Sequence, residues 1–157
     1  MRVYLETTIP SYLSARPALQ VIQAGHQLST RRWWDECRSS FELFTSLVTI
    51  QEAREGNEEA AKRRLDCLQD VPLLAVTPEA ELIAKQILDE QLLPRNADRD
   101  ALHIGVAVFH EMDFLLTWNI RHIANAQMRK KLRAFIESLG YNLPTICSPE
   151  ELLPPSI

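Results

Sequence analysis

The sequence predicts an α/β fold: a central parallel sheet of about five strands, covered by helices on both faces to give three layers. Three observations carry this. Short runs rich in aliphatic and aromatic residues recur as RVYL, FELFTS, PLLAV, DFLLTW and LPTIC. Stretches with helical spacing and recognisable start or stop signals separate them. No internal repeat, low-complexity tract or linker interrupts the alternation.

Residues 2–5 read as the first strand, with Glu6, Thr7 and Thr8 directly after it and Pro10 closing the stretch. Residues 14–27 read as an irregular loop. A helix is expected over 28–39, with Ser29 or Thr30 as its cap. Residues 41–46 form the second strand, and a helix follows over 47–56, stopping at Gly56. A helix rich in Glu, Ala, Lys and Arg covers 57–69, and 72–76 form the third strand. The next helix opens with Thr77 as cap and Pro78 at its first position, a well-formed start signal. A helix over 98–111 leads to the fourth strand, 113–118. Another over 126–138 ends near Gly140, before a short fifth strand at 143–147.

A chain of 157 residues suits one domain with its own core. Hydrophobic content of 46% with 24% charged residues is ordinary for a globular protein. No apolar run is long enough for a membrane helix. No basic leader followed by a long apolar region opens the chain, so no secretory signal is expected. Cys37, Cys67 and Cys147 are an odd count without a C-x-x-C pair, which argues against a disulfide framework or a zinc site. A reducing, cytoplasmic setting is expected. Net charge of −4 does not advertise a nucleic-acid binder, but carboxylates clustered around a cation would contribute to it.

In open parallel sheets the site lies beyond the carboxyl ends of the strands. Glu6 stands at that end of the first strand and Asn119 just past the fourth. Helices run back against the strands, so their N-termini reach the same edge. Glu52 is expected early in the helix after the second strand, and Asp100 in the first turn of the helix before the fourth. Topology alone brings these four residues to one rim. Two unit charges about 4 Å apart repel by roughly 4 kcal/mol at an effective dielectric near 20. Such a cluster therefore calls for protonation or a bound cation. Oxygen donors without cysteine or a histidine pair favour Mg²⁺ or Mn²⁺. A hard cation held by few carboxylates activates water and stabilises charge on phosphate oxygens.

Here YLETTIPS, QEAREG, DALHIGVA and LLTWNIRHIAN together resemble the PIN-domain nucleases, and most of all the VapC-type toxin branch. The resemblance runs in the right order through the chain and implies a single PIN-like domain over 1–157. It implies a Mg²⁺- or Mn²⁺-dependent ribonuclease, with RNA as substrate, often partnered by an antitoxin and often a homodimer. It matches the site to Glu6, Glu52, Asp100 and Asn119, with Glu6 and Asp100 as the metal ligands. Two positions depart from the family pattern: Glu6 stands where Asp is usual, and neutral Asn119 where Asp is frequent. One charge is thus missing, and a single ion is expected.

Neighbouring residues carry two readings each. Glu55 and Asp98 compete with Glu52 and Asp100, as a surface acid and a helix cap. His103, one turn from Asp100, reads first as a satisfied core histidine and second as a contact behind the site; His110 is too far along. Thr7 and Thr117 are placed to hydrogen-bond a carboxylate or a metal-bound water, or are ordinary strand-end residues. In RRWWDE, a buried tryptophan on an amphipathic helix is favoured over base stacking. Arg121 or His122, close to Asn119, is expected to meet an RNA phosphate, whereas RKKLR at 129–133 reads as a solvated face. A second function class keeps the fold as a binding module for an antitoxin or RNA with a weakened site, on the strength of Asn119. A Rossmann-type domain is set aside, because the four glycines form no G-x-G-x-x-G.

Overall fold

A computed structural model describes residues 1–155. Strand β1 (Arg2–Leu5) leads through helices α1 (Thr8–Ser14) and α2 (Val21–Glu36) to β2 (Glu42–Ser46). Helices α3 (Leu47–Ala53) and α4 (Glu58–Leu68) precede β3 (Leu73–Leu74). Helices α5 (Pro78–Asp89) and α6 (Asp98–Phe109) precede β4 (Phe114–Leu116), and α7 (Ala126–Ser138) precedes β5 (Thr145–Cys147). The five strands pair in parallel in the order β3-β2-β1-β4-β5. The chain builds outward from β1 in one direction, then returns to build outward in the other. The switch point therefore falls between β1 and β4, where such sheets open a crevice.

Alternation along β1 divides the core. Tyr4 faces a cluster with Ile104, Leu115, Ile136 and Ile146, under α5, α6 and α7. Val3 and Leu5 face Trp33, Leu68, Leu116 and Trp118, under α2 and α4. Both faces are buried, which accounts for the unbroken apolar reading of the central strands. No helix among the described residues is long and apolar enough to cross a membrane.

Two expectations need correction. The stretch that was read as closing at Pro10 is helix α1, with Pro10 in its first turn. A proline is tolerated there because the first N–H groups of a helix have no intrahelical partner. Residues 14–27 are not one irregular loop: α2 starts at Val21, well before the expected 28, and ends at Glu36. Its buried residues are Gln27, Thr30 and Trp33, so two of the three positions facing inward are polar. Gln27 serves the true loop, accepting from the Ala18 N–H at 3.0 Å and donating to the Arg16 carbonyl at 2.9 Å.

Helices α5 and α6 meet at Gly105. A Cβ there would lie 2.3 Å from the carbonyl oxygen of Ala80, a backbone atom with no freedom to swing away. Gly105→Ala gains about 1 kcal/mol of helix propensity but overpacks the contact at a cost of about 1–3 kcal/mol. The substitution is expected to lower the urea midpoint; an unchanged or raised midpoint would show that the helices do not touch there.

Candidate functional site

The end of β1 sets the site. Glu6 continues the strand, its N–H bonded to the Leu116 carbonyl at 3.1 Å, and its side chain is only 4% exposed. One carboxylate oxygen, Oε2, takes three hydrogen bonds: from the Thr8 N–H at 3.0 Å, the Thr8 hydroxyl at 2.5 Å and the Thr117 hydroxyl at 2.8 Å. The two hydroxyls are built alike. Thr8 Oγ1 accepts the Trp118 N–H at 2.8 Å, and Thr117 Oγ1 accepts the Asn119 N–H at 2.9 Å. Each threonine thus passes a backbone donor of the β4 end on to Glu6. None of the three bonds goes to Oε1.

Glu52 meets Glu6 from the other side. It is the penultimate residue of α3, not early in its helix as expected, because that helix is short. Ser46 caps α3 by accepting the Val48 N–H at 3.3 Å. Glu52 Oε1 accepts from Thr7 Oγ1 at 2.7 Å and from His103 Nε2 at 2.5 Å. An ionised carboxylate has no proton to give, so the imidazole is the donor. On its other nitrogen, His103 Nδ1 lies 2.7 Å from the Tyr4 hydroxyl, which in turn lies 2.7 Å from Ser46 Oγ. His103, Tyr4 and Ser46 are wholly buried, so this chain runs from the core out to Glu52. Glu55 stays outside, paired with Arg99, whose guanidinium also stands 4.0 Å from Glu52 Oε2.

Burial opposes charge on His103, but Tyr4, the hydrogen bond to Glu52 and the charges of Glu6 and Glu52 outweigh it and push its pKa up to about 10. Burial also pulls Glu52 upward; there the hydrogen bond and charge of His103, helped by Thr7 and Arg99, prevail and hold the carboxyl below its ordinary value.

Asp100 and Asn119 form an adjoining group. Asp100 lies in the first turn of α6, as expected, while Asp98 makes no side-chain cap. Asn119 Nδ2 donates to Asp100 Oδ1 at 3.1 Å, and His122 Nδ1 lies 3.0 Å from Asp100 Oδ2. The Asn119 side-chain oxygen accepts the His122 N–H at 3.3 Å, and its carbonyl accepts the N–H groups of Ile123 and Ala124. Asparagine here organises the loop after β4 and donates to Asp100, which an ionised aspartate in its place would not do.

Glu6, Glu52 and His103 can each offer one ligand atom with all three atoms within 4.8 Å of one another. That set does not include Asp100, which connects to it through Asn119, Thr117 and Glu6. Of the expected site residues, Glu6 and Glu52 are mutually close, Asp100 and Asn119 are in contact, and Thr117 links the pairs. Thr7 serves Glu52 rather than Glu6. Thr8 has the role at Glu6 instead, which the adjacency of Glu6, Thr7 and Thr8 hinted at without deciding. His103 is a satisfied buried histidine, and one of the contacts that satisfy it is Glu52. The donors fit a hard cation, since the carboxylates supply oxygen and both His103 nitrogens are already engaged.

The three-layer architecture is the PIN-like one that the motifs led us to expect. No protein-family profile matches the chain, and no curated protein matches it in sequence. Among the solved structures that share its fold are two VapBC structures. One is a crystal structure of VapBC2 from Rickettsia felis bound to a DNA fragment from their promoter, with a TM-score of 0.59 and 14% identity over 94% of this chain and 98% of that one. The other is VapBC-1 from nontypeable Haemophilus influenzae, with a TM-score of 0.58 and 16% identity over 95% of this chain and 98% of that one. At such identities the likeness is one of fold.

A histidine whose folded pKa is raised stabilises fully below its unfolded value and loses that contribution as pH climbs through the folded one. In EDTA, the protein is therefore expected to lose stability progressively from the ordinary 6.5 toward about 10. Glu52 acts oppositely, contributing above its ordinary 4.5 and losing that contribution on acidification. His103→Gln removes the alkaline component. Urea midpoints across this range check the point; parallel curves for the two proteins would contradict it.

Proposed function

We propose that the chain, as one domain of this fold, is a divalent-metal-dependent endoribonuclease working on RNA phosphodiester bonds. The observation that carries the reading is the close approach of buried Glu6 and partly buried Glu52 at the strand ends, with Asp100 joined to Glu6 through Asn119 and Thr117. Glu6, Glu52 and Asp100 would hold one Mg²⁺ or Mn²⁺. Such an ion, when bound, polarises the phosphate and makes water a stronger nucleophile.

The chain's own residues keep the carboxylates ready. Thr8 and Thr117 fix Glu6 through Oε2, leaving Oε1 for an ion. His103 and Thr7 fix Glu52 through Oε1. Asn119 and His122 fix Asp100. The lowered pKa of Glu52 suits it to orient a water and keep its charge rather than to store a proton, since a base titrating far below neutrality takes protons poorly. The Rickettsia felis and Haemophilus influenzae fold neighbours are VapBC structures, and the sequence motifs resemble the VapC-type toxin branch. That supports extending the reading to a cytoplasmic toxin with an antitoxin partner and, less directly, to a homodimer.

A second reading has one observation in its favour. Asn119 adds no charge, and His103 already offsets part of the acid cluster, so the fold would serve as a binding module for an antitoxin or RNA with a weakened ion site. Titration calorimetry with Mn²⁺ separates the two: the nuclease requires a saturable single-site isotherm, the binding module none. RNA cleavage with Mn²⁺ or Mg²⁺ is expected to vanish in EDTA and to fall by at least about 100-fold in Asp100→Asn, the scale on which positioned carboxylates act. Undiminished cleavage by that variant would remove Asp100 from the site.

A further inference from the structure

Beside Asp100 the surface opens into a cavity of about 500 Å³. One wall is the segment between α5 and α6, which brings Leu93, Pro94 and Arg95. The other is the loop after β4 and the start of α7, which bring Arg121, His122 and Met128. Both walls are held in place. In the first, Gln91 takes a left-handed backbone, φ 56°, the Leu92 N–H bonds the Ile87 carbonyl at 3.1 Å, and the Ala97 N–H bonds the Pro94 carbonyl at 2.9 Å. In the second, Asn119 gathers the N–H groups of His122, Ile123 and Ala124.

The charge of the lining is one-sided. The chain has 21 acids against 17 lysines and arginines, yet among the described residues no acid lines this cavity. Arg95 and Arg121 are exposed, and neither is paired with a carboxylate among the described residues. Three other arginines are committed to carboxylates: Arg99 to Glu55, Arg16 to Glu59, Arg32 to Glu36. His122 belongs to both places, lining the cavity and contacting Asp100 at 3.0 Å. Of the two residues expected to offer a phosphate contact, His122 is occupied with Asp100, whereas Arg121 shares the cavity with Arg95.

We infer that this cavity is the subsite for the RNA backbone next to the bond being cut, with Arg95 and Arg121 gripping its phosphates. Guanidinium groups bind phosphate in a fixed fork, and two of them without carboxylate partners pay no cost of breaking an existing pair. Leu93, Pro94 and Met128 supply an apolar floor for an unstacked base, which suits a single strand. The inference rests on the nuclease reading for the identity of its ligand.

The test separates binding from cleavage. Fluorescein-labelled single-stranded RNA is titrated in EDTA with the full chain, Arg95→Ala, Arg121→Ala, the double variant and Lys62→Ala, a charge-matched control on α4. The double variant is expected to bind at least about 10-fold more weakly. Its plot of log affinity against log salt is expected to be shallower by about 1.4, two phosphates at about 0.7 each. Lys62→Ala is expected to match the parent. Equal affinity and slope in the double variant would overturn the inference. So would an equal loss in Lys62→Ala, or a parent that binds no RNA. A parent that binds RNA through these arginines but cleaves none with Mn²⁺ would overturn the nuclease reading and leave the subsite standing.

Discussion

A carboxylate buried at the end of the central strand constrains everything around it. Glu6 sits where β1 is flanked by both β2 and β4, so no water shell can surround it, and a lone charge there would cost several kcal/mol. The fold answers with three donors from two residues: the N–H and hydroxyl of Thr8 at the start of α1 and the Thr117 hydroxyl. The strand beneath is tied in the same way, since Thr45 and Thr49 both donate to the Leu5 carbonyl, at 2.9 Å and 3.2 Å. The run of threonines around the rim is thus a set of proton donors aimed at the end of β1.

His103 changes what the acid cluster needs. Three acids at one rim call for compensating charge, and the sequence pointed to a cation or to protonation. The imidazole answers part of it from inside the fold, donating to Glu52 with its other nitrogen on Tyr4, in a setting that raises its pKa and favours the charged form. Together with a neutral Asn119, this leaves less negative charge for an ion to offset. One ion, rather than two, suits such a site. It also suggests why Glu is acceptable at position 6: the longer side chain reaches forward to Thr117 while bonding back to its own helix start at Thr8.

Much of this was legible in the sequence, and the failures have physical causes. The strands could be read because a parallel sheet buried on both faces leaves continuous apolar runs, and Thr77 caps its helix as its type prefers, whereas Ser29 and Thr30, expected as a cap, lie inside α2. Helix α1 was missed because Pro10 reads as a breaker unless it falls in a first turn. The start of α2 was missed because Gln27 and Thr30 face inward, so hydrophobic spacing was silent there. Position along the chain brought Glu52 and Asp100 to the rim, but it did not show their partners. The contacts of His103 with Glu52, 51 residues away, and of Tyr4 with His103, 99 residues away, exist only once the sheet is assembled. The one local clue to His103 was its place a single turn after Asp100.

The claim that most of the account depends on is that Glu6, Glu52 and Asp100 surround one cation. Anomalous diffraction from a crystal grown with Mn²⁺ tests it directly. The account predicts a single peak at the rim between β1 and β4, in contact with Glu6 and enclosed by Glu52 and Asp100. No peak at that rim, or a peak bound only elsewhere on the chain, would contradict it.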